Sequence, residues 1–367
     1  MVILLAVLGL FIWAGKHMTN DYAITPGVAQ PVGPLITVAG HPHGATRASI
    51  LLTDVYLTQL TVWQWVWAQI HPGREERIVS LSTLTGGDVP ASQLVTQAYL
   101  QMFDSQNAAK VAAMRALGLR VVGSSVGATV WLVAADAPSA GVLSVDDRIV
   151  WARGKPVRNE CQLLQALDGA APGSRVALKI ERVKVSSSGV FGAYAPPATV
   201  EVPIGLVPPK APSSGCPGNP TTAVSFALGI ELEDATQWHF PVHVSINTAN
   251  IGGPSAGLAM TLGIIDALST TSITGGLKIA ATGTIDPSGH VGDVGGVPQK
   301  TIAVENAGAT VFLVPKVELG PAEGAASPGL TVIPVTTLQQ ALAAIERLGR
   351  RVPERISGPV RSGSARA

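Results

Sequence analysis

Apolar residues recur at three- and four-residue intervals through "ASQLVTQAYLQMFDSQNAAKVAAMRALG", residues 91–118. That period predicts one long amphipathic helix, with Gly118 as its stop. The chain before it reads differently. "MVILLAVLGLFIWAG" is an uncharged run ending at Lys16, and "DYAITPGVAQPVGPLITVAG" is a Pro- and Gly-rich lead into a strand. Residues 48–57, "ASILLTDVYL", read as a second strand. "TVWQWVWAQIHPG" sets Trp63, Trp65 and Trp67 at a spacing of two. This suits a membrane- or partner-facing surface and suits the core packing of a strand or helix equally well.

Beyond the helix the period shortens. Residues 119–183 read as strand, small-residue turn, strand, turn, short helix, Pro-Gly turn and strand. A linker follows, with "GLVPPKAPSSGCPGNPTTA" dominated by Pro, Ser and Gly. From Ala223 to Gly349 strands and helices alternate. "AVSFALGIEL", "FPVHVSIN", "KIAATGTI" and "VFLVP" read as strands, and "PSAGLAMTLGIIDALS" and "PQKTIAVENAGA" as helices. The last helix, "TLQQALAAIERLG", has Thr337 and Gln340 at capping-box spacing. Beyond Val352 no apolar period remains, and the tail is expected to be disordered.

Composition narrows the functional classes. The 367 residues are 47% hydrophobic and 13% charged, with 40 Gly and 27 Pro, which suits two or three domains with substantial cores. The net charge is +1, and there is no zinc-type cysteine spacing or recognition-helix pattern, so nucleic acid is an unexpected partner. Nothing in the pattern calls for a metal or cofactor.

The first 15 residues fall short of the ~20 needed to span a bilayer comfortably. They match the apolar part of a signal sequence or anchor without its preceding positive charges; the alternative is a buried N-terminal helix. With no convincing small-x-small cleavage site, an uncleaved anchor is expected, with the bulk of the chain outside the cytoplasm. Cys161 and Cys216 fit that compartment as a disulfide, or are two buried thiols.

The candidate chemistry centres on "NTANIGGPSAGLAM". Gly253-Pro254-Ser255-Ala256-Gly257 is a G-x-S-x-G match, the serine turn of α/β-hydrolases. A serine hydroxyl needs a base to take its proton. His290 is the only histidine after Ser255, and Asp286 and Asp293 share its loop, too close to reach across a sheet edge in the usual triad manner. Lysine is the other choice. Its free pKa of ~10.4 must fall by roughly 3 units, or about 4 kcal/mol, for it to act as a base near neutrality. Lys300 in "VGGVPQKTIAV" has that setting: a Gly295-Gly296 turn, Pro298 in the first helical turn, and Val297, Ile302 and Ala303 around it. The plain alternative is an exposed helical lysine. Lys278 begins a strand and suits solvation.

Two resemblances follow. "PSAGVLSVDDRIVWARGKPV" resembles the PDZ domains of bacterial proteases, with Asp146 where the family usually has glycine. The resemblance implies a groove beside the strand Thr129-Val130-Trp131-Leu132-Val133 and the helix Glu160–Leu167, where a peptide adds as an extra strand; the alternative is a β-rich spacer with an occluded groove. "GGPSAGLAM", "ATGTI" and "VGGVPQKTIAVENAGATVFLVP", in that order, are similar to the proteolytic domain of Lon over most of residues 223–349. The likeness implies Ser255 as nucleophile and Lys300 as general base. It also implies Thr282 as the residue orienting the lysine, His243 in support, and Gly252 and Gly253 giving close backbone approach. Gly252 stands where Lon usually has an acid, and the chain has no G-x-x-x-x-G-K-[ST] phosphate loop.

Together these features resemble the membrane-anchored, PDZ-containing Lon-like proteases of Gram-positive bacteria, including actinobacteria. The expected fold class is α/β (α+β) and multidomain. It divides into an anchor at 1–15, a mixed region at 16–117, a PDZ-like domain at 118–205, a linker at 206–222, a Lon-like domain at 223–350 and a tail at 351–367. The expected activity is ATP-independent endopeptidase cleavage of peptides or proteins, with no cofactor. A homo-oligomer is implied only by the rings that Lon domains form. The rival expectation is a membrane-anchored, peptide-binding scaffold whose Lon-like domain is inactive or cleaves only itself.

Overall fold

Two stretches distant in sequence supply one sheet. In the computed structural model, which describes residues 2–40, 50–71, 73, 76–85, 93–185, 191–205, 228–248 and 251–348, the chain forms two compact units. The first takes residues 1–87, 104–120 and 240–367, and the second takes 88–103 and 121–239. The linker and tail expectations and Cys216 lie outside the described residues.

The chain opens with α1 (Val2–Lys16), β1 (Met18–Pro31), β2 (Ile36–Val38), β3 (Ile50–Thr61), α2 (Val62–Ile70), β4 (Arg77–Ser80), α3 (Leu81–Thr85) and α4 (Leu94–Ala116). The apolar run Ile50-Leu51-Leu52 is buried because β3 lies inside the sheet, antiparallel to β1 on one side and parallel to a later strand on the other. The Trp-rich stretch forms α2, a helix with a Thr61–Gln64 capping box and no buried residue, so the core-packing alternative does not hold.

The second unit contains β5 (Val122–Val133), β6 (Arg148–Ala152), β7 (Lys155–Pro156), α5 (Glu160–Leu167), β8 (Arg175–Glu181), β9 (Val183–Val185), β10 (Phe191–Tyr194), β11 (Ala198–Pro203) and β12 (Ile230–His239). Its sheet runs β11-β8-β6-β5-β12, closed over a core that includes Val130, Ile149, Leu163, Leu178 and Val202. Alternation explains β8: Val176, Leu178 and Ile180 face that core while Arg175 and Lys179 face water. Asp146, at the position where glycine is usual, sits at φ 75°, the conformation that favours glycine there.

The first unit then resumes with β13 (Val244–Ile246), α6 (Gly257–Leu268), β14 (Ile279–Ala281), β15 (Thr284–Ile285), β16 (Val291–Gly292), α7 (Val297–Asn306), β17 (Val311–Pro315), α8 (Leu319–Ala325), β18 (Thr331–Val335) and α9 (Leu338–Arg347). Its sheet runs β18-β17-β14-β3-β1-β4. β14, β17 and β18 pair in parallel with their neighbours, and β1 pairs antiparallel with β3 and β4. All five residues of β17 are buried, as a parallel interior strand requires. Apolar on nearly every side, α6 is buried from Gly257 to Asp266. The division therefore differs from the one read along the chain. The region at 16–117 is not a module of its own, because β1, β3 and β4 complete the sheet of the C-terminal segment.

Candidate active site

Ser255 lies in a single 3-10 turn, Pro254–Ala256, that leads directly into α6. Three local choices produce the turn. Gly253 adopts φ 86° and ψ 157°, a region open essentially to glycine alone. Pro254 then presets the first helical φ and gives up an N–H with no partner to lose. Gly257 lets the helix start press against its surroundings: a Cβ there would lie 2.9 Å from the Ile285 amide nitrogen and 2.9 Å from Ser105 Oγ. Ser255 is half-buried, at the end of a helix whose first amides have no intrahelical acceptors.

The segment after β14 fastens this turn from the other side. The Gly283 N–H donates to the Ser255 carbonyl at 2.9 Å, and the Leu258 N–H donates to the Gly283 carbonyl at 3.1 Å. Thr282, fully buried, donates its hydroxyl proton to the same Ser255 carbonyl at 3.2 Å. The Thr282 hydroxyl in turn accepts a hydrogen bond from Lys300 Nζ at 3.4 Å. Ser255, Thr282 and Lys300 are thus brought together through one hydroxyl.

Lys300 is the fourth residue of α7 and is 2% exposed. Gly296, left-handed at φ 69°, makes the close approach possible, since a Cβ there would lie 3.0 Å from Val55 of β3. Burial lowers the lysine pKa to about 8, while the carboxylates of Asp54 and Glu318 pull it back up. A shift of this size costs about 3 kcal/mol in burying the charge. Glu318 is raised by burial and by Asp293, and lowered by Lys300 and Arg77.

α4 holds the loop from below. Buried Ser105 donates to the Pro254 carbonyl at 3.0 Å, and Gln106 Nε2 donates to Thr248 Oγ1 at 3.0 Å. Ser105, Asp54 and Glu318 were not singled out in the sequence. Only Asp54 left a trace there, as an acid inside the apolar run of β3. Ser105 sits in an ordinary helical stretch, and its contact spans 149 positions.

The remaining candidates lie elsewhere. His243 is exposed just before β13, and its carbonyl accepts from the Ala39 N–H. Gly252 is exposed beside Gly253. Lys278 donates to the Ala307 carbonyl at 2.9 Å, at the C-terminal end of α7. His290 is 72% exposed and uses Nδ1 on Ser288 and Asp286 of its own turn, with no hydrogen bond to Ser255. Among the described residues no cluster of His, Cys, Asp and Glu could hold a metal.

In the second unit the expected peptide-accepting strand needs correction. Thr129, Val130, Trp131, Leu132 and Val133 belong to β5, whose edge at these residues is taken by β12, with Thr129 opposite Glu233 and Val133 opposite Ile230. On the other edge β6 pairs with Ala128 and Thr129 alone, and the Gln93 side chain holds both the N–H and the carbonyl of Val133. The edge beside β12 is already laddered and has no free groups to offer a peptide. β12 is the terminal strand, and α5 begins beside it, with the Glu160 N–H donating to Asp234 Oδ1 at 2.7 Å. Cys161, in the first turn of α5, is disulfide-bonded, which removes the free-thiol alternative for that residue.

Comparison with known proteins places both domains. The profile of the Lon protease (S16) C-terminal proteolytic domain matches residues 221–345, and that of the PDZ domain matches 115–188. Lon protease of Clostridioides difficile is 41% identical over 75 residues, which is 20% of this chain and 9% of that protein. Lon protease of Porphyromonas gingivalis is 36% identical over 92 residues, 25% of this chain and 11% of the relative. That of Frankia alni is 36% identical over 92 residues, covering 24% and 10%. The chain carries a Lon-type proteolytic domain and a PDZ domain, and matches only about a tenth of the length of these relatives.

Proposed function

We propose that this protein is a serine endopeptidase that uses Ser255 as nucleophile and Lys300 as general base, cleaving peptide or protein substrates without ATP. The observation that carries the reading is the state of Lys300: dry, with a pKa of about 8, and one hydroxyl away from the Ser255 carbonyl. At pH 7 about one molecule in ten then holds the amine neutral. Poised so close to the working pH, such a base is both present and strong enough to act.

The neutral amine takes the Ser255 hydroxyl proton as Oγ bonds to the scissile carbonyl carbon. The resulting oxyanion is met by backbone amides at the start of the Ser255 turn and by the positive end of α6. The Lys300 ammonium then gives its proton to the leaving nitrogen as the C–N bond breaks. Afterwards it takes a proton from water, which releases the acyl group and restores Ser255. In the resting state the lysine bonds to Thr282, whose hydroxyl also holds the Ser255 carbonyl.

A peptide terminus or extended segment adds to the outer edge of β12, beside α5, by backbone hydrogen bonding. The bulk of the chain works outside the cytoplasm, attached to the membrane through α1. The disulfide at Cys161 supports the compartment, because such bonds persist in oxidising surroundings. No described helix is long and apolar enough to cross a membrane. Ser255→Ala and Lys300→Met, purified separately, should each abolish cleavage of an unstructured peptide while keeping the wild-type circular dichroism. Cleavage by either variant overturns the pair; peptide binding without turnover by the wild type establishes a scaffold instead.

A further inference from the structure

The helix α2 lies at the surface, with only Val62, Trp65 and Ala68 half-buried. It has nine residues, none of them buried, and an isolated helix of this length is marginal in water. It stands over an open cavity of about 470 Å³, lined by residues that include Ala23 and Leu60 of the sheet and Trp63, Gln64 and Trp67 of the helix. Trp63, Val66, Trp67 and Ile70 are all exposed and follow the spacing i, i+3, i+4, i+7, so they form one apolar face along the rim of that cavity, flanked by Gln64 and Gln69.

That face is continuous with α1. The Phe11 and Trp63 rings are 4.9 Å apart, and the Val62 N–H donates to the His17 carbonyl, tying the start of α2 to the end of α1. On α1, the residues Leu5, Leu8, Leu10, Phe11, Ile12 and Trp13 are each between 47% and 62% exposed. At 3.6 residues per turn these six side chains point around the whole circumference. A folded partner or a second copy of the chain covers one stripe of a helix; only a medium that is apolar on all sides covers every side. The aromatic side chains gather where α1 ends. Trp13 packs on His17 and Trp67 on His71, and Lys16 closes the helix. An apolar rod ending in tryptophan, histidine and lysine matches the profile of a bilayer from acyl chains to headgroups.

We propose that α2 is an interfacial helix: its Trp63–Ile70 face lies in the headgroup and upper acyl region of a lipid bilayer, beside the embedded α1, with Lys16 against anionic headgroups. A second apolar element at the surface adds buried area to the attachment that α1 provides. The proposal rests on membrane attachment through α1, and its test separates the two.

The full chain is added to phosphatidylcholine–phosphatidylglycerol vesicles whose acyl chains are brominated near the headgroup. Tryptophan emission is recorded for the wild type, for Trp13→Phe, and for Trp63→Phe combined with Trp67→Phe. The emission that each substitution removes reports on those residues. The Trp63 and Trp67 share should be largely lost to the brominated lipid and shielded from aqueous iodide only when vesicles are present. If the Trp13 share is quenched while the Trp63 and Trp67 share stays open to iodide, α1 is in the bilayer and the interfacial role of α2 is wrong. If iodide is excluded from Trp63 and Trp67 without vesicles, and more so at higher protein concentration, a second copy covers the face and the proposal fails. If Trp13 is unquenched and the chain does not float with vesicles, membrane attachment itself fails.

Discussion

Lys300 Nζ and the Thr282 hydroxyl are 3.4 Å apart in a site where both residues are buried, and that same hydroxyl donates to the Ser255 carbonyl. Thr282 thus fixes the direction of the amine and of the serine turn at once. Removing it leaves a buried amine without an acceptor, a loss of about 1–3 kcal/mol.

Thr282→Val, which keeps the shape, should lower kcat about 10- to 100-fold with little change in KM, by that loss converted to rate. Thr282→Ser should restore most of it. Steady-state kinetics on a fluorogenic peptide decide the matter, and a valine variant as fast as wild type removes the orienting role.

The pH profile follows from the direction of the lysine shift. In the proposed mechanism Lys300 acts when neutral, so kcat/KM should rise with pH and level off above about 8. Asp54 raises that pKa, so Asp54→Asn should move the rising limb to lower pH. The asparagine keeps an oxygen for the Val28 N–H that Asp54 accepts at 2.6 Å. A limb that stays in place separates Asp54 from the lysine.

Ser105 holds the Pro254 carbonyl, and because the peptide is planar it thereby sets the opposite direction of the Ser255 N–H. Ser105→Ala should reduce kcat about 10-fold, leave KM near wild type, and be rescued by Ser105→Thr, in keeping with the loss of one buried hydrogen bond. Equal losses with both replacements point to packing alone.

Asp146 costs stability in two ways. It occupies φ 75°, and its Oδ2 is buried without a hydrogen bond. Burial raises its pKa to about 7. The folded state therefore favours the protonated form, so stability falls as pH rises from the ordinary carboxylate range through 7. Asp146→Gly should stabilise by about 1–3 kcal/mol above pH 7 and by less near pH 5, as urea unfolding at the two pH values would record. A gain independent of pH leaves backbone strain as the sole cause.

Strand pairing predicts an asymmetry in hydrogen exchange. The amides of β5 that pair with β12 should be protected before any peptide is added, whereas outward amides of β12 should slow only when a peptide binds. Protection appearing instead on β5 returns the groove to that strand.

Much of the site was legible because local rules set it. A glycine before proline and serine makes a turn that starts a helix, and a double glycine with Pro298 starts another; Ser255 and Lys300 sit where those rules put them. The domain borders were less legible, since β3 pairs with β14 across more than two hundred residues, and periodicity carries no information about partners. The same limit explains the groove. Leu132 and Val133 read as an accessible strand until β12, almost a hundred residues later, pairs with them. Trp63 and Trp67 were ambiguous for a related reason: burial, not residue type, separates a core helix from a surface one.

The sequence by itself determined the turn that carries Ser255, the helix that carries Lys300 and the alternation of each strand, because backbone conformation and period are properties of neighbouring residues. Only the tertiary structure decided that Lys300 is dry, that Thr282 links it to the Ser255 carbonyl, and that Asp54, Glu318 and Ser105 belong to the site. Desolvation and hydrogen bonding depend on which surfaces meet, and here the surfaces that meet come from opposite ends of the chain.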